Sequence, residues 1–161
     1  MRKLRKILDR LRWDVFVQGD DQQSFAELKI DSREIDKNDA FVAIKGTAMD
    51  GHQFIDKAIE AGAKLIFCQT IPENLKKDVT YVEFAFLSKN LGELAIATYG
   101  NPSDELGLIG ITGTNGKTTV ATMCFRLLQS LGLSCGLIST VANYIQHEKQ
   151  EAKLTTPDIF S

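Results

Sequence analysis

"LGLIGITGTNGKTTVATM", residues 106–123, joins an apolar run to a glycine-rich turn and then to a segment opened by a lysine. The run 106–112 reads as a buried strand. From Thr118 onward Val120, Met123, Cys124, Leu127, Leu128 and Leu131 recur at helical spacing, and Gly132 provides the stop. A strand feeding a glycine turn and then a helix is the setting in which a loop can hold phosphate. Gly113 and Gly116 let the backbone take positive φ and bring amide N–H groups against phosphate oxygens. The start of the helix adds free amides and the positive end of its dipole. Lys117 offers a point charge to the β- and γ-phosphates, and Thr118 a hydroxyl of the kind such loops place on Mg²⁺. Thr114, Asn115 and Thr119 complete the candidate phosphate loop. Its spacing departs from G-x-x-x-x-G-K-[ST], because Ile111 stands where the first glycine belongs.

Upstream of this loop the chain alternates strands and helices. "WDVFVQG" and "ELKIDSR" read as short strands, and "DAFVAIKG" as a third, ended by Gly46. "HQFIDKAIEAGA" places Phe54, Ile55, Ala58 and Ile59 on one helical face and stops at Gly62. "KLIFCQ" and "VTYVEFAF" read as buried strands, and "LSKNLGELAIATYG" as a helix from Leu87 to Gly100. "NPSDE" is turn-rich and marks a domain boundary, giving an α/β domain over 1–100 and a second over 101–161. After the helix that follows the loop, "SCGLIST" reads as a strand, so the second segment is the opening βαβ unit of a parallel sheet. One such unit cannot cover both faces of a sheet, so the sequence is expected to be truncated.

Composition narrows the class. Hydrophobic residues make up 43% and charged residues 25% of 161, the profile of a globular chain with a core. A net charge of −2 gives no reason to expect nucleic acid as a partner. The basic start "MRKLRKILDRLRW" has Leu4, Ile7, Leu8 and Leu11 at helical spacing and reads as a packed helix with a solvated basic face. No apolar run suits a signal peptide or a membrane span. Cys68, Cys124 and Cys135 form no C-x-x-C pair, and each reads as a buried free thiol, as expected in a reducing cytoplasm. His52 and His147 lie far apart without Cys or carboxylate at ligand spacing, so structural roles are expected for both.

"GITGTNGKTTV" resembles the ATP loop of the Mur ligases, the ATP-dependent amide-bond ligases that build the peptidoglycan stem peptide. The folate polyglutamate ligases have a similar loop, with glycine where this chain has Thr118. "KIDSREIDKNDAFVAIKGTAMDGHQFIDKAIEAGAKLIF", residues 29–67, resembles the UDP-binding domain of the third and fourth Mur ligases. The resemblance implies that Ser32 donates to the substrate's uridine nucleotide, that Ile30 flanks it, and that Thr47, Ala48 and Met49 line the pocket. Loop hydroxyls and amides suit a uracil edge or a diphosphate, and Gly46 and Gly51 free the loop to approach it. Asn38-Asp39 stands where the family more often has Gly-Asp. "LTTPD", residues 154–158, resembles the threonine pair with which the third enzyme contacts its UDP-muramoyl-dipeptide, which points to Thr155 and Thr156. The fourth enzyme usually has D-T-R where this chain has Asp31-Ser32-Arg33. Leu154 replaces an asparagine found in some members, and Asn143 lies too far upstream to take that contact.

The implied reaction adds a diamino acid, meso-diaminopimelate or L-lysine, to UDP-N-acetylmuramoyl-L-Ala-D-Glu through an acyl phosphate. ATP and Mg²⁺ are the implied cofactors, Lys117 the implied catalytic residue, Thr118 the implied metal-binding residue, and a monomer the expected state. The further metal site, adenine pocket and amino-acid-reading domain of the family have no counterpart in these residues. The chain alone is therefore expected to be inactive. The alternatives are the fourth Mur ligase, a folate polyglutamate-type ligase, or a non-catalytic UDP-sugar-binding module.

Overall fold

The computed structural model describes residues 1–46, 49–146 and 148–151. The chain divides into two compact units, Met1–Pro102 and a second that begins at Ser103.

In the first unit β1 (Arg2–Lys3) leads into α1 (Leu4–Leu8) and pairs with β3 (Ser24–Phe25), while β2 (Phe16–Gln18) lies between them in sequence. Then come β4 (Leu28–Lys29), β5 (Ala40–Ala43), α2 (Ile55–Ala61), β6 (Leu65–Cys68), β7 (Thr80–Glu83) and α3 (Leu91–Tyr99). The main sheet has the order β2-β7-β6-β5-β4, parallel throughout except for β2. Its inner strands, AFVA, LIFC and TYVE, are almost continuously apolar because both faces are covered. Alternation sorts their side chains into two layers. Ala40, Val42, Leu65, Phe67 and Val82 join a core with Leu4 and Ile7 of α1 and Leu94 and Ala97 of α3. Phe41, Ala43, Ile66, Cys68 and Tyr81 point the other way, against Ile55 and Ala58 of α2. The result is a three-layer α/β/α unit.

Local chemistry fixes the element ends. Gly62 caps α2 at φ 118°, as expected from its position in the sequence. Asn38 takes φ 76°, a left-handed conformation that asparagine tolerates better than most residues. The adjoining Asp39 is buried, and its carboxylate accepts from the amides of Glu27 and Asp36 at 3.1 and 3.0 Å. The basic start packs Leu4 and Ile7 inward, while Arg5 remains outside, paired with Asp9 and Asp21. The helix expected from Leu87 begins instead at Leu91. Residues 87–89 form a separate 3-10 turn, and the backbone leaves the helical region at Asn90.

In the second unit α4 (Lys117–Ser130) follows the glycine loop, and β8 (Gly136–Leu137), β9 (Ala142–Ile145) and β10 (Glu148–Glu151) form an antiparallel sheet. This corrects the expectation of a parallel βαβ unit here. Residues 106–112 form no strand among the described residues: a strand needs a hydrogen-bonded neighbour, and β8 pairs with β9 instead. The face of α4 predicted to be buried is also largely exposed at Val120, Met123, Leu127 and Leu131. The inward side is centred on Phe125, whose ring lies 5.3 Å from that of Tyr144. Of the three cysteines, all free, only Cys68 is fully buried; Cys124 and Cys135 are half-buried.

Candidate functional site

The glycine loop runs into α4 without a side-chain cap. Gly116 is the helix's N-cap in the left-handed region at φ 76°, and Gly113 has φ 151°. Both need the freedom that only glycine has at little cost. The first capping bond is Val120 N–H to Gly116 O at 2.9 Å, so the amides of 117–119 have no acceptor within the helix. Lys117 is the first helical residue, and its side chain folds back over the turn. Nζ donates to Gly113 O at 2.7 Å and to Thr114 O at 3.3 Å. The ammonium is thereby held above the loop by two carbonyls, with no carboxylate partner among the described residues. Thr118 is half-buried and Thr119 exposed on the first turn, while Thr114 and Asn115 are exposed on the loop. Free amides at the head of a 14-residue helix, and an ammonium held over the turn, are the kinds of donor that polyphosphate binding requires. No group of three His, Cys, Asp or Glu side chains suited to a metal exists among the described residues.

The second cluster lies in the first unit, beyond the carboxyl ends of the parallel strands, where open α/β sheets bind ligands. β4 and β5 pair in register, Leu28 with Ala40 and Lys29 with Phe41, so the segments after them emerge side by side. Ile30 and Ile44, just past the two strands, both pack against the α1–α3 core. Ser32 opens a 3-10 turn over Ser32–Glu34, half-buried, and its hydroxyl makes no hydrogen bond among the described residues. Asp31 caps this turn: its carboxylate accepts from Arg33 N at 2.9 Å and from the Arg33 guanidinium at 2.6–3.1 Å. The guanidinium first, and the amide second, hold the Asp31 carboxyl at about 2.

Beside this turn, the loop after β5 closes on itself. Lys45 bridges to Asp50, Gly46 N–H donates to Met49 O at 3.0 Å, and Gly51 N–H donates to Ile44 O at 2.8 Å. Met49 is exposed. Thr47 and Ala48, expected to line the same pocket, lie outside the described residues, as do Thr155, Thr156 and His147. The expectation for Gly51 changes: a Cβ there would meet Ile44 O at 2.7 Å, so this glycine serves a close backbone crossing rather than approach to a ligand.

Sequence reasoning missed the groups that tie the loop down. His52 Nδ1 lies 2.7 Å from Asp50 Oδ1, and its Nε2 accepts from Gln69 N–H at 3.0 Å. The amide and ring of His52 hold the Asp50 carboxyl below the usual carboxylate range. Gln69 Oε1 accepts from Lys45 N–H and from the Ser88 hydroxyl, both at 2.8 Å. Asp-Gly-His is visible in the sequence, but nothing there links it to a glutamine 17 residues away. Lys45, Asp50, His52 and Gln69 line a cleft of about 420 Å³.

Two successive family models match this chain: "Mur ligase family, catalytic domain" over residues 24–99 and "Mur ligase middle domain" over 111–161. The chain belongs to the Mur ligase family. Among curated proteins it is 44% identical over 156 residues to the UDP-N-acetylmuramoyl-L-alanyl-D-glutamate–2,6-diaminopimelate ligase of Phocaeicola vulgatus, covering 97% of this chain and 32% of that one. It is 42% identical over 158 residues to the enzyme of the same name from Clostridium tetani, with the same coverage. The chain thus spans about a third of the length of these relatives. Among solved structures, MurF ligase from Thermotoga maritima in complex with ADP is 30% identical with a TM-score of 0.51, over 65% of this chain and 23% of that one. A structure titled as the 2,6-diaminopimelate ligase covers 99% of this chain and 32% of its own, with a TM-score of 0.68 and 21% identity, and shares the fold.

Proposed function

We propose that this chain provides the uridine-nucleotide domain and the phosphate loop of an ATP-dependent ligase that adds diaminopimelate to UDP-N-acetylmuramoyl-L-Ala-D-Glu in peptidoglycan synthesis. The observation that carries the reading is the loop 113–119, where Lys117 Nζ sits over the carbonyls of Gly113 and Thr114 at the head of a 14-residue helix. The names of relatives matching 97% of the chain favour the third Mur ligase over the fourth, and diaminopimelate over lysine.

Residues 1–100 are assigned to binding the UDP-linked substrate and 101–161 to the start of the ATP-binding domain. Ser32 donates its unengaged hydroxyl to the nucleotide. Ile30, Thr47, Ala48 and Met49 flank it, and Thr155 and Thr156 position the dipeptide end. The amides of 113–119 cradle the ATP phosphates, and Lys117 is the catalytic residue, neutralising charge that grows on the transferred phosphoryl group. The donor set fits: the loop carries no carboxylate to repel a polyphosphate, and its ammonium is held in place. Thr118 would hold Mg²⁺, whose role when bound is to neutralise phosphate oxygens. The protein then works on small molecules as a cytoplasmic monomer, without nucleic acid. Among the described residues no helix is long and apolar enough to cross a membrane.

The test uses protein from the complete reading frame, with ADP release measured on UDP-N-acetylmuramoyl-L-Ala-D-Glu plus diaminopimelate or lysine. Lys117→Ala should lose several powers of ten in rate, roughly 4 kcal/mol or more, with UDP-substrate affinity nearly intact. Ser32→Ala should weaken the UDP substrate and spare ATP. Substantial activity in Lys117→Ala would remove the loop from the reaction, and faster turnover with lysine would reassign the amino acid.

A further inference from the structure

Both ends of the loop after β5 are fastened to one residue, Gln69, at the end of β6. At the front, Lys45 N–H donates to the Gln69 side-chain oxygen at 2.8 Å. At the back, Gln69 N–H donates to His52 Nε2 at 3.0 Å. The imidazole is oriented from behind by Asp50, which takes both the His52 amide at 3.0 Å and the Nδ1 proton at 2.7 Å. With Nδ1–H engaged and Nε2 accepting, the ring is fixed as the neutral Nδ1–H tautomer. Ser88 Oγ donates to the same Gln69 oxygen at 2.8 Å, so the glutamine amide cannot turn without losing two bonds.

We infer that His52 and Gln69 are positioning residues for the uridine nucleotide: they hold the two ends of the loop, at Lys45 and at Asp50, in register for the substrate, without touching it themselves. This rests on the proposed nucleotide site, since the clamp acts only through the loop that carries Met49 and its neighbours. The strand ends supply a rigid frame, with β5 and β6 paired along Ala40–Ala43 and Leu65–Cys68. Among the described residues the loop's own closure is the Lys45–Asp50 bridge, made by the Gly46 N–H to Met49 O and Gly51 N–H to Ile44 O bonds. Freeing either end therefore enlarges the set of loop shapes and lowers the fraction competent to bind.

The experiment measures UDP-N-acetylmuramoyl-L-Ala-D-Glu binding by calorimetry on protein from the complete reading frame, with ATP binding and thermal melting alongside. His52→Ala should weaken the UDP substrate about tenfold, the scale of one lost hydrogen bond and its ordering effect, with ATP affinity unchanged. His52→Gln, whose side-chain oxygen can accept the Gln69 amide, should recover most of that loss. If His52→Ala does not fold, Gln69→Ala carries the same expectation from the other end of the loop. Unchanged UDP-substrate affinity in a folded variant would overturn the clamp, and so would no recovery in His52→Gln or an equal loss for ATP. Should Ser32→Ala weaken binding while these variants do not, the clamp alone fails. A wild type that binds no UDP substrate overturns the site and the clamp together.

Discussion

Replacing Gly51 with alanine tests the architecture of the 45–51 loop directly. Gly51 N–H donates to Ile44 O at 2.8 Å, and a Cβ on Gly51 would lie 2.7 Å from that oxygen and 2.9 Å from Ile44 N. Ordinary contact begins at 3.4 Å, so the methyl requires a retreat of about 0.7 Å (3.4 − 2.7) from main-chain atoms. Ile44 has little room for that retreat, because it follows a fully buried strand and packs against the core. Moving the oxygen away by the same distance stretches the 2.8 Å bond to about 3.5 Å, where little of it remains. A lost hydrogen bond of about 1 kcal/mol and an overpacking cost of about 1–3 kcal/mol together give about 2–4 kcal/mol. For a unit of this size that is a fall in melting temperature of roughly 10–30 °C. Thermal unfolding followed by circular dichroism should show it. Gly107→Ala is the control, since nothing lies within 4 Å of its Cβ, and it should melt within a few degrees of wild type. A Gly51→Ala protein that melts within 3 °C or so of wild type would refute the close-crossing argument.

Two further outcomes follow from the electrostatics. The Asp31 carboxyl should titrate at about 2 by carbon NMR, and in Arg33→Ala it should move up toward the usual carboxylate range. A folded pKa below the unfolded one contributes stability above the unfolded value that is lost as pH falls toward 2; with Arg33 exposed, that contribution is small and salt-sensitive. Cys68 is buried, with its thiol pushed up to about 12 by desolvation first and Glu83 second, so iodoacetamide at pH 8 should leave it unlabelled in native protein and label it in urea. Peptide mass mapping reads this out, and rapid native labelling of Cys68 would contradict the packed sheet around it.

Much of this protein was legible because its signals are local. The run AFVA before a polar turn, LIFC before Gln69, and Gly62 after an apolar helical face each state their structure within a few residues. The candidate phosphate loop was readable for the same reason: two glycines, a lysine and threonines adjoin the start of one helix, and the same residues carry the Mur ligase resemblance. What the sequence could not reveal depended on partners distant in the chain. Residues 106–112 have strand composition, yet a strand exists only when a neighbour supplies hydrogen bonds, and no described neighbour does. The apolar stripe of α4 predicts burial only where something covers it, and Phe125 rather than Met123 or Leu127 found a covering ring. Gly51 read as a flexible loop position until the backbone of Ile44 proved to cross beside it. The sequence alone marked residues 113–119 as chemically suited to phosphate, while the candidate uridine-nucleotide residues followed from the resemblance of residues 29–67 to the Mur ligases. Only the tertiary structure decided that His52, Asp50, Gln69 and Ser88 act on one loop, since hydrogen bonds between adjacent strand ends leave no periodicity or spacing in the chain.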